Sequence, residues 1–216
     1  MVVVGIDPGT RRCGFGVVAR TGSRLTVVES GVLAPGDHPL PHRLALILRA
    51  LEALLARAGA AEVAVESVFA GVSPRSALVL GHARGVVLAA ASRAGLPVFE
   101  YAPAEAKLAL TGNGRAEKPQ LVRMVRALFG VEAGLADEAD AIALAVCHLS
   151  RLGARRLRPA SAEQRATAAG GRPGAAAGTG APGADAPPAA LLRPRAPGRP
   201  RRPGAAARRR RSGGAA

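Results

Sequence analysis

Three β-rich runs near the start of the chain, joined by links of only a few residues, constrain the fold more than any other feature. Residues 2–7 form an apolar run ending at Asp7, and Pro8-Gly9-Thr10 is a turn. Residues 13–20 and 24–33 are two further β-rich runs joined through Arg20-Thr21-Gly22-Ser23. Links this short predict an antiparallel meander. After it the periodicity changes. Leu44, Leu48, Leu51 and Leu55 give residues 42–58 a helical stripe. Residues 62–66 form a short strand, and a helix over 74–94 opens with Ser73 as N-cap and Pro74 at the first position. Pro97 to Tyr101 is a strand. Helices follow near 103–110, 118–129 and 137–152. The order β-β-β-α-β-α-β-α-α-α predicts an α/β fold: a mixed five-stranded sheet with helices on both faces. Sites in such sheets gather at the C-terminal ends of strands, where Asp7 and Glu66 stand.

Composition limits how much of the chain takes part. From Pro159 onward it is mostly Ala, Gly, Pro and Arg, with Leu191 and Leu192 as the only large apolar side chains. Such a segment buries too little apolar surface to offset its conformational entropy. The expected organisation is one folded domain over 1–155 and a disordered basic tail over 156–216. Charge divides in the same place. Residues 1–150 carry 15 basic and 13 acidic side chains, whereas 151–216 carry 15 arginines and two acids. The high net charge of +15 therefore describes the tail and is no evidence for a nucleic-acid-binding fold. A basic tail attracts polyanions without reading sequence. The plain alternative is an idle, solubilising extension. Cys13 and Cys147 have no metal-type spacing and suggest a reducing, cytoplasmic compartment. The N-terminus lacks the basic segment of a signal peptide, and no apolar run is long enough to span a membrane.

Four carboxylates stand out: Asp7, Glu66, Asp137 and Asp140. Each has an ordinary reading taken singly. Asp7 suits a turn, Glu66 a solvated strand end, Asp137 a helix cap and Asp140 a helix first turn. Together they say more. Asp137 and Asp140 are three apart and share a helix face. The helix continues as Ala141 to Cys147, apolar almost all round, so it packs into the domain and carries both acids inward. Four such charges in one site need cations or raised pKa values. An oxygen-only ligand set favours Mg²⁺, with Mn²⁺ as a substitute. Two such ions about 4 Å apart suit phosphodiester hydrolysis.

Lysine usage adds to this. Of 30 Lys+Arg only two are lysine, Lys107 and Lys118, and both flank the loop 111–117. A compact ammonium charge in so Arg-biased a chain suggests a phosphate contact, against the plain reading of two surface lysines. Phe69 lies in the loop just after Glu66, in a chain that is only 2% aromatic. It suits stacking on an unpaired base or, equally, anchoring its loop to the core.

Four blocks in order resemble the RuvC family of bacterial crossover-junction endodeoxyribonucleases. They are Val3-Val4-Gly5-Ile6-Asp7-Pro8-Gly9-Thr10 with Gly14-Phe15-Gly16-Val17; Glu66-Ser67-Val68-Phe69 with Ser76-Ala77-Leu78 and Leu80-Gly81-His82-Ala83-Arg84-Gly85; Gly112-Asn113-Gly114-Arg115-Ala116-Glu117-Lys118; and Asp137-Glu138-Ala139-Asp140-Ala141. The resemblance covers residues 1–152. It implies an RNase H-like fold, a homodimer, and cleavage of Holliday (four-way) junction DNA with divalent metal, in recombination and DNA repair. It implies that Asp7, Glu66, Asp137 and Asp140 are the metal-binding catalytic carboxylates. It implies that Lys107 and Lys118 contact DNA and assist catalysis, that Phe69 engages the junction, and that RuvA-like and RuvB-like branch-migration proteins are partners. The sequence departs from the family pattern at Ala70-Gly71-Val72-Ser73, where relatives often carry Lys and Asn, and at His82, where Gln is common. The tail has no counterpart.

Three rival readings remain at this level. Gly5 to Thr10 also resembles the phosphate loop of actin-like and sugar-kinase ATPases, but the second domain and second Asp-Gly loop of those proteins have no match in the chain. A non-catalytic junction binder need not keep four acids. An RNA-directed nuclease of the same fold would differ in contacts to the 2′-hydroxyl.

Overall fold

A computed structural model describes residues 1–67 and 74–157. Phe69, the departures at 70–73, the expected Ser73 cap and the tail beyond 157 lie outside the described residues. The strands are β1 (Val2–Asp7), β2 (Cys13–Thr21), β3 (Arg24–Leu33), β4 (Glu62–Glu66) and β5 (Val98–Tyr101). The helices are α1 (Leu40–Ala58), α2 (Pro74–Arg93), α3 (Pro103–Thr111), α4 (Lys118–Phe129) and α5 (Ala136–Leu157). Among the described residues no helix is long and apolar enough to cross a membrane.

One five-stranded sheet runs in the order β3-β2-β1-β4-β5. The meander β1–β2–β3 is antiparallel, as its short links require. β4 lies parallel to β1, and β5 parallel to β4. Parallel neighbours need crossovers, and α1 and α2 supply them. The sheet is a middle layer. On one face Val4, Ile6, Phe15, Val17, Val63 and Val65 pack under α1 and α2. On the other, Val3, Val18, Ala64 and Tyr101 pack under α3, α4 and α5. The alternation of side chains along a strand then fixes the direction of Asp7 and Glu66. Asp7 shares the parity of Val3, and Glu66 that of Ala64, so both face α5.

Two helices differ from expectation. α1 begins two residues earlier, and its buried face is Leu46, Ile47, Ala50, Leu51, Leu54 and Leu55. Leu44 and Leu48 are only half-buried. The leucine-rich segment carries two overlapping helical stripes, and packing against the sheet selects one. α5 extends to Leu157, and Asp137 is in its first turn rather than at its cap.

Three glycines let α5 lie directly on the sheet. A Cβ on Gly5 would stand 2.0 Å from the Ala141 carbonyl oxygen, and one on Gly14 2.0 Å from that of Asp137. A Cβ on Gly16 would meet the Ile142 backbone at 2.9 Å. Gly5 pairs with Gly16, and Asp7 with Gly14, across β1 and β2. The sheet thus has a floor without side chains beneath the first turns of α5. Ala141 to Leu149 of that helix are buried throughout.

Candidate active site

The C-terminal ends of β1 and β4 and the first turn of α5 bring three acids together. Asp7, Glu66 and Asp140 line one small cavity with Pro103, Ala106 and Leu144. Asp7 and Glu66 lie within side-chain hydrogen-bonding reach of each other. Burial pushes the Asp7 carboxyl up to about 8, and the charges of Glu66, Asp140 and Asp137 push in the same direction. Burial also raises Glu66 and Asp140, while Lys118 and Lys107 oppose the shift at both. Both lysines are therefore electrostatic neighbours of the cluster. The Lys118 ammonium lies 3.9 Å from the Asp140 carboxylate.

Asp137 stands apart from the other three. Its carboxylate faces Arg12, in the loop after β1, at 3.4 Å, and it does not line the cavity. Phe69 lies outside the described residues.

Several residues that pattern reasoning passed over hold this arrangement. Glu138, between the two aspartates, points the other way. It is buried and accepts hydrogen bonds from the Ser30 hydroxyl at 2.7 Å and the Gly134 amide at 3.0 Å, which fixes the first turn of α5 to β3. Arg84 of α2 donates to the Glu66 carbonyl at 2.5 Å and pairs with Glu100. Arg43 of α1 donates to the Thr10 carbonyl at 3.3 Å and so tethers the loop after β1. Glycine at alternate positions 14 and 16, opposite Gly5, was the one readable signal that a helix backbone approaches the sheet here.

The donor chemistry fits a hard divalent cation: carboxylate oxygens only, desolvated, with more negative charge than the pocket keeps unaided. Among the described residues no three side chains form a ready-made cation shell.

The comparisons with known proteins agree with this geometry. The family model for "Crossover junction endodeoxyribonuclease RuvC" matches residues 3–148. Crossover junction endodeoxyribonuclease RuvC of Anaeromyxobacter dehalogenans (strain 2CP-C) is 70% identical over 151 residues, covering 70% of this chain and 82% of its own. The protein of that name from Myxococcus xanthus is 50% identical over 155 residues, covering 69% and 81%. Among solved structures, T. thermophilus RuvC in complex with Holliday junction substrate superposes with a TM-score of 0.65 at 36% identity, covering 71% of this chain and 96% of that one. The mixed sheet with helices on both faces is thus the RNase H-like architecture. A family match across residues 3–148 and relatives this similar over the whole folded region establish that the chain belongs to the RuvC family.

Proposed function

We propose that this chain is a divalent-metal-dependent endonuclease that resolves Holliday junctions in recombination and DNA repair. The observation that carries the reading is the state of Asp7. Asp7, Glu66 and Asp140 converge on one small cavity, and a carboxyl pushed up to about 8 there by burial and by other carboxylates marks a pocket that favours more positive charge than Lys107 and Lys118 bring. Family membership and the junction-bound relative support four-way DNA as the substrate.

Asp7, Glu66 and Asp140, joined by Asp137 once it leaves Arg12, would hold two cations per subunit, Mg²⁺ or, in substitution, Mn²⁺. When bound, such a pair activates water and neutralises the leaving oxygen. The chain's own residues do the rest. Pro103, Ala106 and Leu144 keep the carboxylates in a poorly screened setting, where their attraction for a cation is stronger than in bulk water. Lys107 and Lys118 meet charge that builds on the phosphoryl oxygens. In-line attack leaves a 5′-phosphate and a 3′-hydroxyl. Two cuts of like polarity across a two-fold junction suit a homodimer, and RuvA-like and RuvB-like proteins are its expected partners. Phe69 is proposed to engage the junction at an unpaired base. Two unpaired, buried cysteines accord with a cytoplasmic setting.

The test is a synthetic four-way junction with Mg²⁺ or EDTA. Asp7→Asn lowers cleavage to background and leaves junction binding in EDTA near the wild-type level. Undiminished cutting by this variant would falsify the role given to Asp7.

A further inference from the structure

A second polar cluster lies within the core, away from the carboxylates. His148 of α5 is 1% exposed, and both of its ring nitrogens have partners. Nδ1 lies 2.6 Å from the Tyr101 hydroxyl, and Nε2 meets the Glu62 carboxylate. A carboxylate only accepts, so Nε2 donates. In the tautomer with its proton on Nε2, the ring accepts a hydrogen bond from the Tyr101 hydroxyl at Nδ1. In that tautomer Tyr101 donates to His148, and His148 donates to Glu62. Around it, the Arg151 guanidinium lies 5.2 Å from the centre of the Tyr101 ring and pairs with Glu105. Glu105 in turn accepts from the Ala102 amide at 2.8 Å, at the start of α3.

The elements joined here are those that carry the site. β4 runs from Glu62 to Glu66. α5 holds Asp137 and Asp140 at one end and His148 further along. α3 carries Lys107. The closest link is Tyr101. It is the cross-strand partner of Glu66 on β5 and packs on the same face of the sheet. Its carbonyl accepts from the Ser67 amide at 2.9 Å, which closes the strand end beyond Glu66. Partners of this distance in a parallel pair are near neighbours, about 4.8 Å apart along the hydrogen-bonding direction. The residue that His148 fixes is therefore the backbone neighbour of Glu66 and Ser67 at the end of β4.

We propose that Glu62, His148 and Tyr101 are positioning residues for the active site, holding the end of β5 in register against the end of β4 so that the Glu66 carboxylate stays aimed into the cluster. The proposal rests on the metal-dependent reading above. An apolar trio of similar volume would satisfy packing alone; a buried histidine bonded at both nitrogens restricts ring rotation and register as well. Partners outside the ligand shell typically change metal affinity about 10–100-fold when lost.

Tyr101→Phe removes the hydroxyl and keeps the ring, and Glu62→Gln keeps an acceptor and removes the charge. Val146→Ala, two residues before His148 in the same helix and buried in the same core, is the control for a simple loss of packing. Two readouts apply to each full-length variant: the Mg²⁺ concentration that gives half the Mg²⁺-induced rise in Tm without DNA, and the single-turnover cleavage rate of pre-bound junction at sub-saturating Mg²⁺, taken well below the variant's Tm. Tyr101→Phe is expected to raise the Mg²⁺ midpoint about tenfold, Glu62→Gln by less, and both to slow cleavage in proportion, with junction binding in EDTA unchanged. Val146→Ala keeps the wild-type midpoint. A Tyr101→Phe midpoint within twofold of wild type, or an equal shift in Val146→Ala, overturns the proposal. A wild-type chain with neither Mg²⁺ response nor cleavage overturns the metal-dependent reading and this proposal with it.

Discussion

Replacing Gly14 by alanine tests how the fold aims its acids. The added Cβ would stand 2.0 Å from the Asp137 carbonyl oxygen, 2.5 Å from its carbonyl carbon and 3.3 Å from its Cβ. A carbon and a carbonyl oxygen rest at about 3.3 Å or more, so a gap of about 1.3 Å has to open between β2 and the first turn of α5. The obstacle is backbone on both sides, and no rotamer change relieves it. β2 is held between β1 and β3, so the helix end is the part that yields. It carries Asp137 and Asp140. Overpacking of this kind costs about 1–3 kcal/mol of stability, which leaves a folded protein for study. A misplacement of about 1 Å at reacting groups can cost about 100-fold in rate. Gly14→Ala is therefore expected to lose far more cleavage than stability. Gly134→Ala, where an added Cβ meets nothing within 4 Å, is the control. The assay is single-turnover cleavage of a four-way junction at saturating Mg²⁺, paired with chemical denaturation. If Gly14→Ala cuts within a few-fold of wild type while losing stability, the glycine floor serves packing alone and the reasoning fails.

Two further outcomes are expected. Because the Asp7 carboxyl is raised to about 8, the folded state binds a proton that the unfolded chain has released, so without metal, stability falls as pH rises from about 4 to about 8, by at most about 1.4 kcal/mol per pH unit. Denaturation in EDTA between pH 5 and 8 is expected to show this slope reduced in Asp7→Asn; equal slopes in the two proteins would refute the assignment. Deleting residues 159–216 removes eleven arginines and two acids and is expected to weaken junction binding and flatten its dependence on salt, without moving the cut positions. An unchanged salt slope would rule out a DNA role for that segment.

The parts of this molecule that were legible in the sequence are those written in short-range pattern. Three β-runs with links of a few residues leave little choice but a meander, and the alternation after Leu33 requires parallel crossovers. Asp7 and Glu66 end strands, and Asp137 and Asp140 open a helix whose apolar run must be buried. The convergence of Asp7, Glu66 and Asp140 follows from those local facts plus one global one, the depth at which α5 sits. That depth was not legible from propensity. It depends on Gly5, Gly14 and Gly16 coming together across two strands, and a glycine in a strand reads locally as a weakness. The choice between two leucine stripes on α1 was hidden for the same reason, since only the sheet beneath the helix selects one. Long-range polar contacts were the least visible. Glu138 reads as one more acid in an acidic first turn until Ser30, 108 residues away in sequence, supplies its hydroxyl. Asp137 was expected in the pocket with the others, and its spacing from Asp140 allows it, yet Arg12 holds it at the rim. Periodicity places a side chain on a face of its element, but which way it turns on that face is decided by the nearest charge. In this site that charge comes from a loop that pattern reads only as a turn.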